Sequence, residues 1–357
     1  MSSRLNRRAR AVAGTLLACA RLAAPAVALA PAAAHAAMLL VVNKAESSVM
    51  AVDPADGRVI ASLAVAAGPH EVAVAPDGGT AVVGSYGTRD AAGNSLAVID
   101  LGALATIRVI DLGGYGRPHG LAFLPDGRHL LVTSETAGSV LLVDLAEGRV
   151  VEAIATGGEL SHMVVADAAG TRAYVANIRS GTVSVIDLDA RAPLAVIETG
   201  KGSEGLALSP DGGELWVANR SADTLSIVDT ASLTVSATVP CAAFPIRLAF
   251  TPDGARVLAS NARSGDVAVF DAATRVEVGR IALPLAVAED VDDRVLRRAF
   301  PDSPVPIGLA MSGDGSRAFV AASYADAVAV IDLATLGLAG TIATGREPDG
   351  LAWLAGR

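Results

Sequence analysis

The chain has 357 residues, of which 52% are hydrophobic, 18% charged and only 3% aromatic, and its formal net charge is −9. That apolar content is enough for one large core, while the acidic balance argues against nucleic acid, whose phosphates require lysine and arginine. No apolar run beyond the N-terminal region is long enough to span a bilayer.

Residues 1–36 stand apart from the rest. Arg4, Arg7, Arg8 and Arg10 form a basic start, an Ala/Leu/Val stretch follows, and Ala34-His35-Ala36 offers a small-x-small cleavage site. We read an export signal, which places a mature domain of residues 37–357 in the periplasm or outside the cell. Leu17-Ala18-Cys19 loosely resembles a lipoprotein processing site, so a lipid anchor at Cys19 is the alternative. Cleavage removes five arginines and no acids, moving the formal charge from −9 to −14. It also leaves Cys241 as the only cysteine, which excludes an internal disulfide. A monomer is expected.

From residue 38 onward the chain repeats. The stretch 203–240 shows the unit: four short runs rich in Val, Ile, Leu and Thr, separated by clusters of Pro, Asp, Gly, Ser and Asn. Such punctuation predicts four β-strands, named a to d here, in an antiparallel meander. Pro210-Asp211-Gly212 supplies the a–b turn and recurs at 76–78, 125–127 and 252–254, with weaker versions at 167–170 and 313–315. An aspartate closing strand c recurs seven times, at Asp53, Asp100, Asp144, Asp187, Asp229, Asp271 and Asp332, and is read as a turn former. Four strands every 42 or so residues, roughly the spacing of a propeller blade, predict an all-β, seven-bladed β-propeller. Strands b, c and d of blade 1 fall within 38–66 without a strand a before them. The segment 348–357 supplies it, so the two ends of the chain are expected to close the ring and leave no open edge.

The run Ala173-Tyr174-Val175-Ala176-Asn177, its echo Leu215-Trp216-Val217-Ala218-Asn219, the Pro-Asp-Gly turns and Pro118-His119-Gly120 resemble the YVTN family of β-propeller repeats. The resemblance covers almost the whole mature chain and implies the fold. Blades 2 and 7 depart from the motif, with Val82-Val83-Gly84-Ser85 and Phe319-Val320-Ala321-Ala322 in its place. Such propellers include binding proteins, envelope proteins and components associated with quinoprotein alcohol oxidation.

Strands alternate in direction, so the start of strand a, the b–c loops and the d–a loops share one face. The residue after the first Pro, or its equivalent, of strand a lies nearest the axis. Around the ring it reads Asp349, His70, His119, His162, Glu204, Ile246 and Ile307. Three imidazoles flanked by carboxylates suit a borderline divalent cation, so His70, His119 and His162 are candidate ligands for Zn, Cu or Fe. The structural alternative is that Pro-His-Gly merely fills the repeat. Two insertions, 86–95 and 284–304, lie on the same face, where long loops shape a binding mouth. The second is expected to be a short amphipathic helix, with Val291, Val295, Leu296 and Phe300 inward and its Asp and Arg residues in solvent. Lys44, Arg179, Arg220 and Arg263 follow strand b in several blades and are candidate contacts for an anionic ligand, with a solvated rim as the alternative. Strand-end Asn43, Asn177, Asn219 and Asn261 are read as loop hydrogen-bonding residues.

No nucleophile elbow, phosphate loop, haem-attachment sequence or HExxH motif is present. The leading expectation is therefore an exported, non-catalytic propeller that binds a periplasmic protein, small ligand or metal ion on its histidine face. Two alternatives stand: a metal-dependent lyase or hydrolase of the streptogramin lyase or lactonase kind, and an accessory protein of periplasmic quinoprotein alcohol oxidation.

Overall fold

Each apolar run in the repeat is too short for a stable helix and long enough for a strand, and each turn carries the residues a tight reversal needs. The computed structural model describes residues 36–289 and 299–356. Among them, 28 strands form seven four-stranded antiparallel sheets, each in the order a-b-c-d from the axis outward. The expected seven-bladed propeller is present. Residues 1–35, which hold Cys19 and nearly all of the segment read as an export signal, and residues 290–298 of the second insertion lie outside the described residues.

The turn chemistry follows the sequence. Gly78, Gly127, Gly212 and Gly254 of the a–b turns, together with Gly170 and Gly315 of the weaker copies, all take φ between 62° and 74°, a region open to glycine. All seven strand-c aspartates accept backbone N–H bonds in the c–d turn, for example Ser232 N to Asp229 Oδ1 at 2.7 Å. The recurring asparagines lie buried beneath the b–c loops, where Asn177 Nδ2 donates to Thr182 Oγ1 and Ser184 Oγ.

Closure takes the expected form. Strand a of blade 1 is Pro348–Leu354, and it pairs with strand b, Met38–Asn43, through Leu39↔Trp353, Leu40↔Ala352 and Val41↔Leu351. Between blades the faces of neighbouring sheets interdigitate. Trp216 of blade 5 packs edge-on against Phe250 of blade 6, and Phe319 of blade 7 stacks on Trp353 of blade 1. With so few aromatics, most of this core is Val, Leu, Ile and Ala.

The innermost strands crowd the axis. In blades 1, 3, 5 and 7 the third residue of strand a is Gly350, Gly120, Gly205 or Gly308. A Cβ there would come within 2.1–2.6 Å of the carbonyl oxygen of the next blade's strand a. In blades 2 and 6 that position carries Glu71 and Arg247 instead. These meet across the ring, with Arg247 Nη2 2.7 Å and Nε 3.2 Å from Glu71 Oε1.

The first insertion is not the loop the sequence suggested. Strands b and c of blade 2 are both lengthened, to Thr80–Gly87 and Ala92–Asp100, and remain paired to Gly87↔Ala92. The extra residues extend a hairpin above the histidine face. In the second insertion, Phe300 is buried against Phe244 at a centroid separation of 5.0 Å.

Candidate functional site

Three positions of the repeat converge on the axis and enclose a cavity of about 330 Å³. The second residue of strand a contributes all seven members named from the sequence: Asp349, His70, His119, His162, Glu204, Ile246 and Ile307. The residue immediately after strand b contributes Lys44, Glu135, Ile178, Arg220 and Ser323, and Tyr86 holds the equivalent place inside the lengthened strand b of blade 2. The residue before strand a adds Leu160, Val305 and Glu347. Below them, the Glu71–Arg247 pair crosses the axis.

The first two positions were not read equally well. Among the basic residues singled out after strand b, Lys44 and Arg220 hold the position that faces the axis, whereas Arg179 and Arg263 fall one residue further on. Side chains alternate along an extended segment, so that single step turns them away. Arg179 is exposed and sits 3.6 Å from Glu159. Arg263 is half-exposed, pairs with Asp223 at 3.3 Å and lies over the Phe244 ring. Neither lines the cavity. Tyr86 and Glu135 occupy the inward position and were missed, although reading the post-strand-b residue blade by blade would have found both.

The charged half of the cavity holds one connected chain and a separate cluster around Lys44. Tyr86 donates its hydroxyl to Glu135 Oε2 at 2.6 Å, and Glu135 Oε1 lies 2.5 Å from His162 Nδ1. His162 Nε2 is 3.2 Å from Glu204 Oε1. Glu204 also pairs with Arg220 and, at 3.1 Å, with Arg247. Lys44 sits 2.9 Å from Glu347 and 3.5 Å from Asp349. The other two imidazoles are held differently. His70 Nδ1 faces the Gly68 carbonyl oxygen at 2.9 Å. His119 stacks on His162 with centroids 3.6 Å apart, and its Nδ1 is buried without a hydrogen-bond partner.

Environment separates the three histidines. Burial lowers His70 to about 4, outweighing the opposing charge of Asp349. Burial drives His119 well below the ordinary imidazole value, and the neighbouring His162 adds to the shift. At His162 burial also acts downward but is outweighed by Glu204 and Glu135, so its pKa is raised. Burial pushes Glu204 upward, yet Arg220 and His162 hold it down at about 2. The chain thus sets the imidazole whose protonated form is favoured between two carboxylates, beside two imidazoles whose neutral form is favoured. Ile246, Val305 and Ile307 of blades 6 and 7 form an apolar patch of the lining, and Leu160 and Ile178 of blade 4 add apolar surface beside His162. His129 belongs to the opposite face, where its Nδ1 lies 2.6 Å from Asp126.

A family model described as "Lactonase, 7-bladed beta-propeller" matches residues 162–283, from the axial His162 to the end of blade 6. It is a model of lactonase propellers and not of YVTN repeats. No curated protein matches. Among solved structures, the chain is similar to hydrazine synthase of Kuenenia stuttgartiensis, at 19% identity and a TM-score of 0.67, over 80% of this chain and 89% of that one. It is similar to a functionally unknown protein from Desulfotomaculum acetoxidans, at 14% identity and a TM-score of 0.72, over 90% and 99%. It is also similar to the dihydro-heme d1 dehydrogenase NirN in complex with DHE, at 18% identity and a TM-score of 0.62, over 86% of this chain and 63% of that one. Identities this low carry the fold alone.

Proposed function

We propose that the protein is a ligand-binding propeller whose axial cavity takes one small amphipathic molecule. The observation that carries this reading is the division of the cavity. Tyr86, the imidazoles and the carboxylates converge on one side, and Val305, Ile246 and Ile307 form an apolar wall on the other. At about 330 Å³ the space lies at the small end of ligand cavities, so it suits a compact metabolite with a polar head and a short apolar body. Export would place this binding in the periplasm or outside the cell, in keeping with a non-catalytic carrier or accessory role. The test is a thermal-shift panel of small alcohols, hydroxy acids, lactones and amines on the protein and on His162→Gln. A hit that raises the melting temperature of the parent and not of the variant supports the reading. A panel that stabilises neither protein, or both equally, overturns it.

A second reading, a hydrolase, is favoured by the lactonase-family match and by the Tyr86–Glu135–His162 chain. In it a neutral imidazole beside a carboxylate-held one acts as a general base on water. Turnover of a lactone panel, lost in His162→Gln with melting unchanged, would establish it. The absence of turnover alongside binding would leave the carrier reading.

A further inference from the structure

We infer that His119, Glu135 and His162 form a binding site for one divalent metal ion of the borderline class to which zinc belongs. The inference deepens the reading of the cavity as a ligand site and rests on it. Donor atoms of the three side chains lie within 4.8 Å of one another. Glu135 Oε1 and His162 Nδ1 stand 2.5 Å apart as a hydrogen-bonded pair, so the shared proton must leave and the two atoms move apart when both bind one ion. Small side-chain rotations bring such a set to the bonds of about 2.0–2.2 Å that zinc requires.

Several observations favour an ion over a purely structural cluster. His119 is 2% exposed and its Nδ1 has no hydrogen-bond partner. A buried ring nitrogen left unpaired is costly unless a ligand occupies it. The other two donors carry the outer partners that orient metal ligands: Tyr86 donates to the far oxygen of Glu135, and Glu204 faces the far nitrogen of His162. The charge also points the same way. With His162 deprotonated, as a metal ligand must be, Glu71, Glu135, Glu204, Glu347 and Asp349 outnumber Lys44, Arg220 and Arg247 by two, and one divalent cation balances that deficit. Two imidazoles and one carboxylate match zinc-type ligand sets and not those of magnesium or calcium, and the open side of the cavity leaves a fourth position for water or ligand. The set differs from the one read in the sequence by taking Glu135 in place of His70, whose Nδ1 is held by Gly68.

The test is zinc titration of chelator-treated protein, with X-ray absorption of the zinc-loaded form to count imidazole rings around the ion. One equivalent of zinc with two imidazoles is expected. Glu135→Gln should lose affinity by more than the about 10–100-fold typical of outer-partner changes, and Tyr86→Phe should fall within that range. Three imidazoles around the ion, unchanged affinity in Glu135→Gln, or no zinc retained would overturn the assignment. Should Glu135→Gln not fold, the ring count on the parent protein decides alone. Organic ligands that bind without any zinc uptake would sink the metal site and leave the cavity reading intact. Zinc uptake without any organic ligand would do the reverse.

Discussion

Arg247→Met is the most informative single perturbation, because the residue joins opposite sides of the ring. Arg247 and Glu71 are 8% and 12% exposed at the side chain, and their pair spans 176 positions of sequence. Removing the guanidinium leaves Glu71 buried without its cation. Glu204 is affected less, because it keeps Arg220 and His162. Breaking a buried pair from one side costs about 3–5 kcal/mol, whereas replacing both partners with apolar residues of similar size is often neutral. Arg247→Met is therefore expected to lose about 3–5 kcal/mol, and adding Glu71→Met should restore at least about 2 kcal/mol of that. Urea unfolding followed by the fluorescence of Trp216 and Trp353 measures both. An Arg247→Met protein within about 0.5 kcal/mol of the parent, or a double variant whose losses simply add, would refute the reasoning.

Three other outcomes are expected. Deleting residues 348–357 removes the inner strand of blade 1 with the buried Leu351 and Leu354, each worth roughly 1.5–3 kcal/mol, and the half-buried Trp353. That sum approaches the whole stability of an ordinary domain, so the truncated protein should show no cooperative melt, and a sharp melt would contradict ring closure. Acid should weaken the turns. Backbone N–H bonds hold Asp229, Asp271 and Asp332 below the ordinary carboxylate value, so their stabilisation is full above about pH 4 and is lost as pH falls through their lower native pKa values. Asp332→Asn should flatten the fall in melting temperature between pH 5 and about pH 2.5, and an identical slope would count against this. Burial pushes the Cys241 thiol up to about 12, so iodoacetamide at pH 8.5 should alkylate it in urea and not in buffer. Fast labelling of the native protein would show that the blade 5–6 interface opens.

The blades were legible because their signals are local and repeated. Pro-Asp-Gly fixes one turn and the strand-c aspartate another, and seven copies make any one irregular copy unimportant. The ring of second residues in strand a was legible for the same reason, since each follows a Pro or Ser at a fixed place in the repeat. Tyr86 and Glu135 escaped because the position after strand b varies freely in chemistry, from Lys44 to Ser323, and only its register marks it. A slip of one residue put Arg179 and Arg263 in place of inward-facing side chains. The Glu71–Arg247 pair left no trace in sequence, as nothing local links residues on opposite sides of a ring. The extended hairpin at Tyr86 was hidden because its residues Thr88-Arg89-Asp90 read as a loop while the flanking strands simply lengthen.

The central claim is that one cavity on the ring axis is where this protein holds its ligand. Calorimetric titration of the strongest compound from the stability panel tests it most directly, on the parent protein and on Ile307→Trp, which fills the apolar wall without touching a charge. One site per chain, lost in Ile307→Trp while the melting temperature holds, is the expected result. Undiminished binding in that variant, or more than one equivalent site per chain, would place the ligand elsewhere and contradict the claim.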